Sequence, residues 1–118
     1  MSVQTITDFY DLDDSTNQVH LQVEIGFGQP AASRVFIDYD PLGGQKMNDF
    51  DTDVGSNASL KNKKLIINTS VWDLQSATDQ TSVTVKLTGG INSYERTAEC
   101  SVSEQGGVAI YVTTIYFF

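Results

Sequence analysis

Val19-His20-Leu21-Gln22-Val23-Glu24-Ile25-Gly26-Phe27 is the stretch that decides the fold. Val19, Leu21, Val23, Ile25 and Phe27 alternate with His20, Gln22, Glu24 and Gly26. A side-chain period of two over this length belongs to a strand with one buried and one wet face. Gly28-Gln29-Pro30 then ends the run with turn chemistry.

The same period recurs downstream. Val35, Ile37 and Tyr39 alternate with Arg34, Phe36 and Asp38, and Asp40-Pro41-Leu42-Gly43-Gly44 closes that segment. Residues 64–72 are rich in β-branched strand formers, with Leu65, Ile67, Thr69 and Val71 on one face and Ile66, Asn68, Ser70 and Trp72 on the other. Val83, Val85 and Leu87 alternate with Ser82, Thr84, Lys86 and Thr88, and Gly89-Gly90 predicts a hairpin into residues 94–102. A second Gly-rich turn at 103–107 leads into residues 108–118. Six strands are clear and a seventh is expected within residues 3–10.

A chain of 118 residues suits one domain, spanning 1–118. The expected fold is all-β: an antiparallel β-sandwich, immunoglobulin-like or jelly-roll-like, of about seven strands. The Cys…Trp…Cys hallmark of immunoglobulin domains is absent, so the expectation concerns architecture alone. The last segment is apolar on both faces: Val108, Ile110, Val112, Tyr116 and Phe118 on one, Ala109, Tyr111, Ile115 and Phe117 on the other. Such a strand left at an edge would recruit other chains. It is therefore expected at the centre of a sheet or covered, and a subunit contact on its outer face is one way to cover it. Residues 40–62 show no period and are expected to form a long loop, the first place to look for function.

The net charge is −8, and residues 1–60 carry all of it, with ten acids against two bases; residues 61–118 are balanced, five against five. An acidic half repels phosphate, so neither nucleic acid nor an anionic membrane surface is an expected partner. No apolar run is long enough for a membrane span. The start shows no basic region followed by an apolar run, and a soluble, cytoplasmic protein is expected. The single cysteine, Cys100, excludes an intrachain disulfide and a multi-cysteine zinc site. It is expected buried and inert beside Ala98 and Val102.

Asp49, Asp51 and Asp53, followed by Asn57, resemble the opening of a calcium loop, because alternate carboxylates converge when a tight loop wraps an ion. The EF-hand pattern then fails: Val54 stands where the sharp turn needs glycine, and Leu60 where a bidentate acid is needed. An acidic, solvated loop is the plain reading. An irregular calcium site with Asp38, Asp40, Asp49, Asp51, Asp53 and Asn57 is the alternative, and no other cofactor is expected. Trp72, with Tyr94 and Tyr111, is the candidate ligand-binding set, since an aromatic beside acids and amides can stack and hydrogen-bond a sugar. A half-buried Trp72 closing one end of the core is the competing reading. His20, the one histidine, falls on a polar strand face beside Gln22 and Glu24, with no nucleophile-elbow sequence anywhere. No residue is assigned a catalytic role, and no enzyme is expected. The leading expectation is a binding or assembly module that contacts a protein partner or further copies of itself. A lectin-like or calcium-dependent small-ligand domain is the alternative.

Overall fold

The computed structural model describes residues 2–118. Ten strands and one short helix follow in order: β1 (Ser2–Tyr10), β2 (Gln18–Ile25), β3 (Ala31–Ile37), β4 (Asp40–Pro41), β5 (Lys46–Met47), β6 (Phe50–Ser56), α1 (Asn57–Leu60), β7 (Lys64–Trp72), β8 (Gln80–Thr88), β9 (Tyr94–Ser101) and β10 (Val108–Phe117). They form two sheets. Sheet A runs β1-β10-β7-β3-β4, with β5 also on β3, and sheet B runs β6-β2-β8-β9. The fold is the all-β sandwich that the alternation predicts.

Both sheets contribute to one core. Val19, Leu21, Val23, Val83, Val85 and Leu87 of sheet B meet Leu65, Ile67, Val71, Tyr111, Ile115 and Phe117 of sheet A, all essentially inaccessible to water. These are the odd-numbered positions of their strands, so a period of two in sequence becomes one buried layer. β10 is central, flanked by β1 and β7, as its two apolar faces require. The β8–β9 hairpin forms in register from Leu87↔Tyr94 to Gln80↔Ser101. Gly89 in that connection has φ +101°, and a Cβ there would run into the Gln18 carbonyl oxygen, so only glycine fits.

Several expectations are corrected. There are ten strands, not about seven, because residues 40–56 hold β4, β5 and β6. β6 pairs with β2, with a bulge where Val19↔Gly55 gives way to His20↔Asp53. Its period of two was carried by acids pointing outward and by Thr52 pointing inward, residue types that argue weakly for a strand. One pair is parallel: β1 runs alongside β10, Ser2↔Ala109 to Tyr10↔Phe117. These are the two ends of the described chain, so no short connection dictates their sense. Phe27 lies beyond β2 in a turn with φ 58° and is exposed, and Tyr39 sits in the two-residue turn between β3 and β4. Cys100 is half-buried rather than buried, because β9 is an edge strand. Its sulfur still packs against the core margin. No helix of the described residues is long and apolar enough to cross a membrane.

Candidate functional site

Because alternate residues of a strand point to opposite faces, each sheet turns a separate set of side chains outward, and the two sets differ in chemistry. Sheet B presents a charged, hydrogen-bonded surface. His20 lies between two carboxylates of β6, with Nδ1 2.8 Å from Asp53 Oδ1 and Nε2 3.1 Å from Asp51 Oδ2. Only an imidazolium can donate through both ring nitrogens at once. The hydrogen bond to Asp53, then that to Asp51, accordingly raises the His20 pKa above the ordinary 6.5. Lys86 on β8 bridges β2 and β9, 3.0 Å from Glu24 and 3.7 Å from Glu95, and its pKa is raised chiefly by Glu24. Thr84 and Thr97 share a 2.7 Å hydrogen bond across β8 and β9.

The His20 contact yields a testable expectation. In an NMR titration the imidazole should titrate above 6.5, and Asp53→Asn should bring its midpoint down. An unshifted midpoint in the parent protein would show that the three side chains do not meet. The folded midpoint lies above the unfolded one, so the contact's contribution to stability is complete at pH below about 6.5. It then fades as pH rises through the raised value. All three side chains are 40–68% exposed, so the contribution is only roughly 0.2–0.5 kcal/mol.

Sheet A differs. Its outward positions are Val3, Thr5, Thr7 and Phe9 on β1; Val108, Ile110, Val112, Thr114 and Tyr116 on β10; Lys64, Ile66, Asn68, Ser70 and Trp72 on β7; and Ala32, Arg34 and Phe36 on β3. None of these is an acid, in a chain with fifteen acids. The register sets Val3 beside Ile110 and Phe9 beside Tyr116, two apolar pairs with Thr5 beside Val112 and Thr7 beside Thr114 between them. Phe9 stacks at a tilt on Tyr116 and Phe118, centroids 6.2 and 5.5 Å apart, yet remains 64% exposed. Four strands at ~4.8 Å spacing and nine residues at ~3.4 Å give this face roughly 19 by 30 Å. Apolar side chains cover only part of it, interleaved with Thr5, Thr7, Thr114, Lys64, Asn68, Ser70 and Arg34.

The three candidate ligand residues do not come together. Trp72 points out from sheet A, beside Arg34, Gln45, Asn68 and Ser70, and takes no part in the core. The adjoining Asp73 turns inward and is fully buried, its Oδ1 taking a hydrogen bond from Gln29 Nε2 at 3.1 Å. Tyr111 is wholly buried, its hydroxyl 2.7 Å from Thr81 Oγ1, and burial pushes its pKa up. Tyr94 lies at the opposite side of the sandwich. Its hydroxyl donates to Asp8 Oδ2 at 2.6 Å, and Arg96 donates to the same oxygen at 2.9 Å. Burial first, then that carboxylate, raises the Tyr94 pKa strongly. This group ties β1 of sheet A to β9 of sheet B across their adjacent edges.

The six candidate metal residues are spread over separate roles. Asp51 and Asp53 flank His20. Asp49 Oδ1 accepts from the Ile25 amide at 2.7 Å, and Asp38 Oδ1 from the Lys64 amide at 3.1 Å. Asp40 is exposed on β4. Asn57 is fully buried: its Oδ1 accepts from the Asp13 amide, and its Nδ2 donates to the Asn17 and Gly89 carbonyls, at 2.9–3.0 Å. Among the described residues no group of three or more His, Cys, Asp or Glu is arranged to hold a metal ion. Sequence reasoning missed the contact of His20 with Asp51 and Asp53, and the closeness of Arg34 to Trp72. The first was detectable, since Asp49, Asp51 and Asp53 already carry the period of a strand. The second depends on the pairing of β3 with β7, Arg34↔Asn68. No family model, curated protein or solved structure matches this chain.

Proposed function

We propose that this domain is a non-enzymatic assembly module, and that its contact surface is the β1–β10 half of the outer face of sheet A. One observation carries the reading: the β1–β10 half of this face, whose outward positions hold no acid, also exposes Val3, Phe9, Tyr116 and Phe118. Two chains of charge −8 repel at long range. They approach at least cost where neither presents carboxylates, and burying aromatic and β-branched side chains then supplies the driving force. A second copy of the chain is therefore the partner of choice, joined face to face. A protein partner with a complementary apolar patch is the other form of the same reading. A reducing compartment such as the cytoplasm suits the single free thiol.

Sedimentation equilibrium tests this. The apparent mass should climb from 12.9 kDa toward twice that value with concentration, and climb sooner at high salt, where the acidic surfaces are screened. Phe9→Lys, at an exposed position of an edge strand, should hold the protein monomeric without unfolding it. A parent protein that stays monomeric at millimolar concentration in high salt would remove self-association.

A further inference from the structure

The other half of the same face, along the seam of β3 and β7, is hollowed. Two depressions lie end to end. The larger, about 490 Å³, is lined by Arg34, Gln45, Asn68, Ser70 and Trp72 together with small residues of β3. The smaller, about 230 Å³, is lined by Phe36, Asp38, Tyr39, Ile66 and Asn68. Asn68 belongs to both, so they form one trough. From Ile66 to Trp72 it follows six residue steps of β7, about 20 Å at ~3.4 Å per step. Trp72 flanks one end. Tyr39, 81% exposed, flanks the other, with Lys64 Nζ 4.9 Å from its ring centre.

Two cations, Arg34 and Lys64, and one carboxylate, Asp38, stand around this trough. Among the described residues, Arg34 and Lys64 form no ion pair, although the chain has fifteen acids. The one carboxylate at the margin, Asp38, has an oxygen already engaged by the Lys64 amide. Aromatic rings at either end offer stacking surface to the C–H face of a sugar ring. Side-chain amides and Ser70 suit its hydroxyls, as both donor and acceptor. A guanidinium without an acid partner suits a carboxylate or sulfate, which it can grip through two parallel hydrogen bonds. Apart from Asp38 and the neighbouring Asp40 of β4, the acids of the chain lie away from the trough, and at physiological salt their field is damped over about 8 Å.

We infer that the β3–β7 trough is a binding site for an acidic oligosaccharide, with Trp72 and Tyr39 as stacking platforms and Arg34 as the anion-reading residue. The site is independent of the self-association surface, which uses β1 and β10. An apolar peptide is the weaker fit, since an open trough lined with amides and a free cation offers it no deep apolar pocket.

Trp72 is the only tryptophan, so its fluorescence reports this trough alone. The full chain would be titrated with tetragalacturonate and with a heparin tetrasaccharide, following tryptophan emission and backbone amide shifts. Fully methyl-esterified tetragalacturonate serves as the uncharged counterpart, and hexaglutamate as an acidic peptide. At least one acidic saccharide should change the emission and shift the amides of residues 34, 45, 68, 70 and 72. Arg34→Gln should weaken that binding about tenfold or more while leaving any binding of the ester unchanged. Trp72→Phe should retain part of it, and Phe9→Lys should bind like the parent, which separates this site from the assembly surface. Silence with both acidic saccharides at millimolar concentration would overturn the proposal. So would an ester that binds as well as the acid, an Arg34→Gln variant that binds like the parent, or hexaglutamate binding in the trough as tightly as the saccharides.

Discussion

Ile115→Asp is expected to abolish folding, while Ile110→Asp, five residues earlier on the same strand, leaves the domain folded. Ile115 is wholly inaccessible, paired with Leu65 and packed between the sheets. A carboxylate there has no partner, and the cost of at least about 4 kcal/mol consumes much of a stability on the order of 5–15 kcal/mol. Ile110 faces outward beside Val3 and is only partly shielded. An aspartate at that position stays hydrated, and the expected loss is about 1 kcal/mol or less. Urea unfolding followed by circular dichroism compares the two. A sequence reading that places Ile110 in the core expects Ile110→Asp to unfold the protein too, because a strand apolar on both faces does not reveal which face is inside. Equal loss in the two variants would mean that the outer face of sheet A is itself buried.

Asn57→Ala is expected to cost roughly 3 kcal/mol. The side chain is fully buried and joins three segments: the β1–β2 connection at Asp13 and Asn17, the start of α1, and the β8–β9 turn at Gly89. Removing it strands the Asp13 amide and the Gly89 carbonyl without their partner. The Asn17 carbonyl keeps the Asn57 backbone amide at 2.9 Å. Asn57→Asp keeps the acceptor but cannot donate to either carbonyl, so it should destabilise comparably. Were Asn57 an ion ligand, aspartate would instead preserve or strengthen calcium binding. Thermal unfolding of Asn57→Asp with and without calcium therefore separates a structural cross-link from a ligand.

The sandwich was legible in the sequence because strands such as β2 and β8 carry strict alternation of large apolar and polar residues, as in Leu21, Val23, Val83 and Val85. β6 was hidden by its composition. Thr52 and Gly55 stand where strand readings look for Val or Ile, and the three aspartates at alternate positions suggest an ion before a sheet edge. The parallel pairing of β1 with β10 was not legible, since pairing between chain ends leaves no local turn signal. Trp72 was singled out from residue type alone. Its neighbours Arg34 and Gln45 come from segments about 30–40 residues away, brought to it by pairing that period and turn chemistry leave open. Tyr94 and Tyr111 could not be separated from Trp72 in advance, because the alternation that divides faces within one strand is silent about which strands adjoin.

The most direct test of the contact surface is solvent paramagnetic relaxation of amide and methyl protons by a soluble gadolinium chelate, measured at low and at high protein concentration. At high concentration, protection should grow at Val3, Phe9, Ile110, Val112 and Tyr116, while Thr84, Thr97 and the other outward positions of sheet B stay as accessible as before. Protection that grows on sheet B, or nowhere at all, would contradict the assignment of sheet A as the face through which this domain assembles.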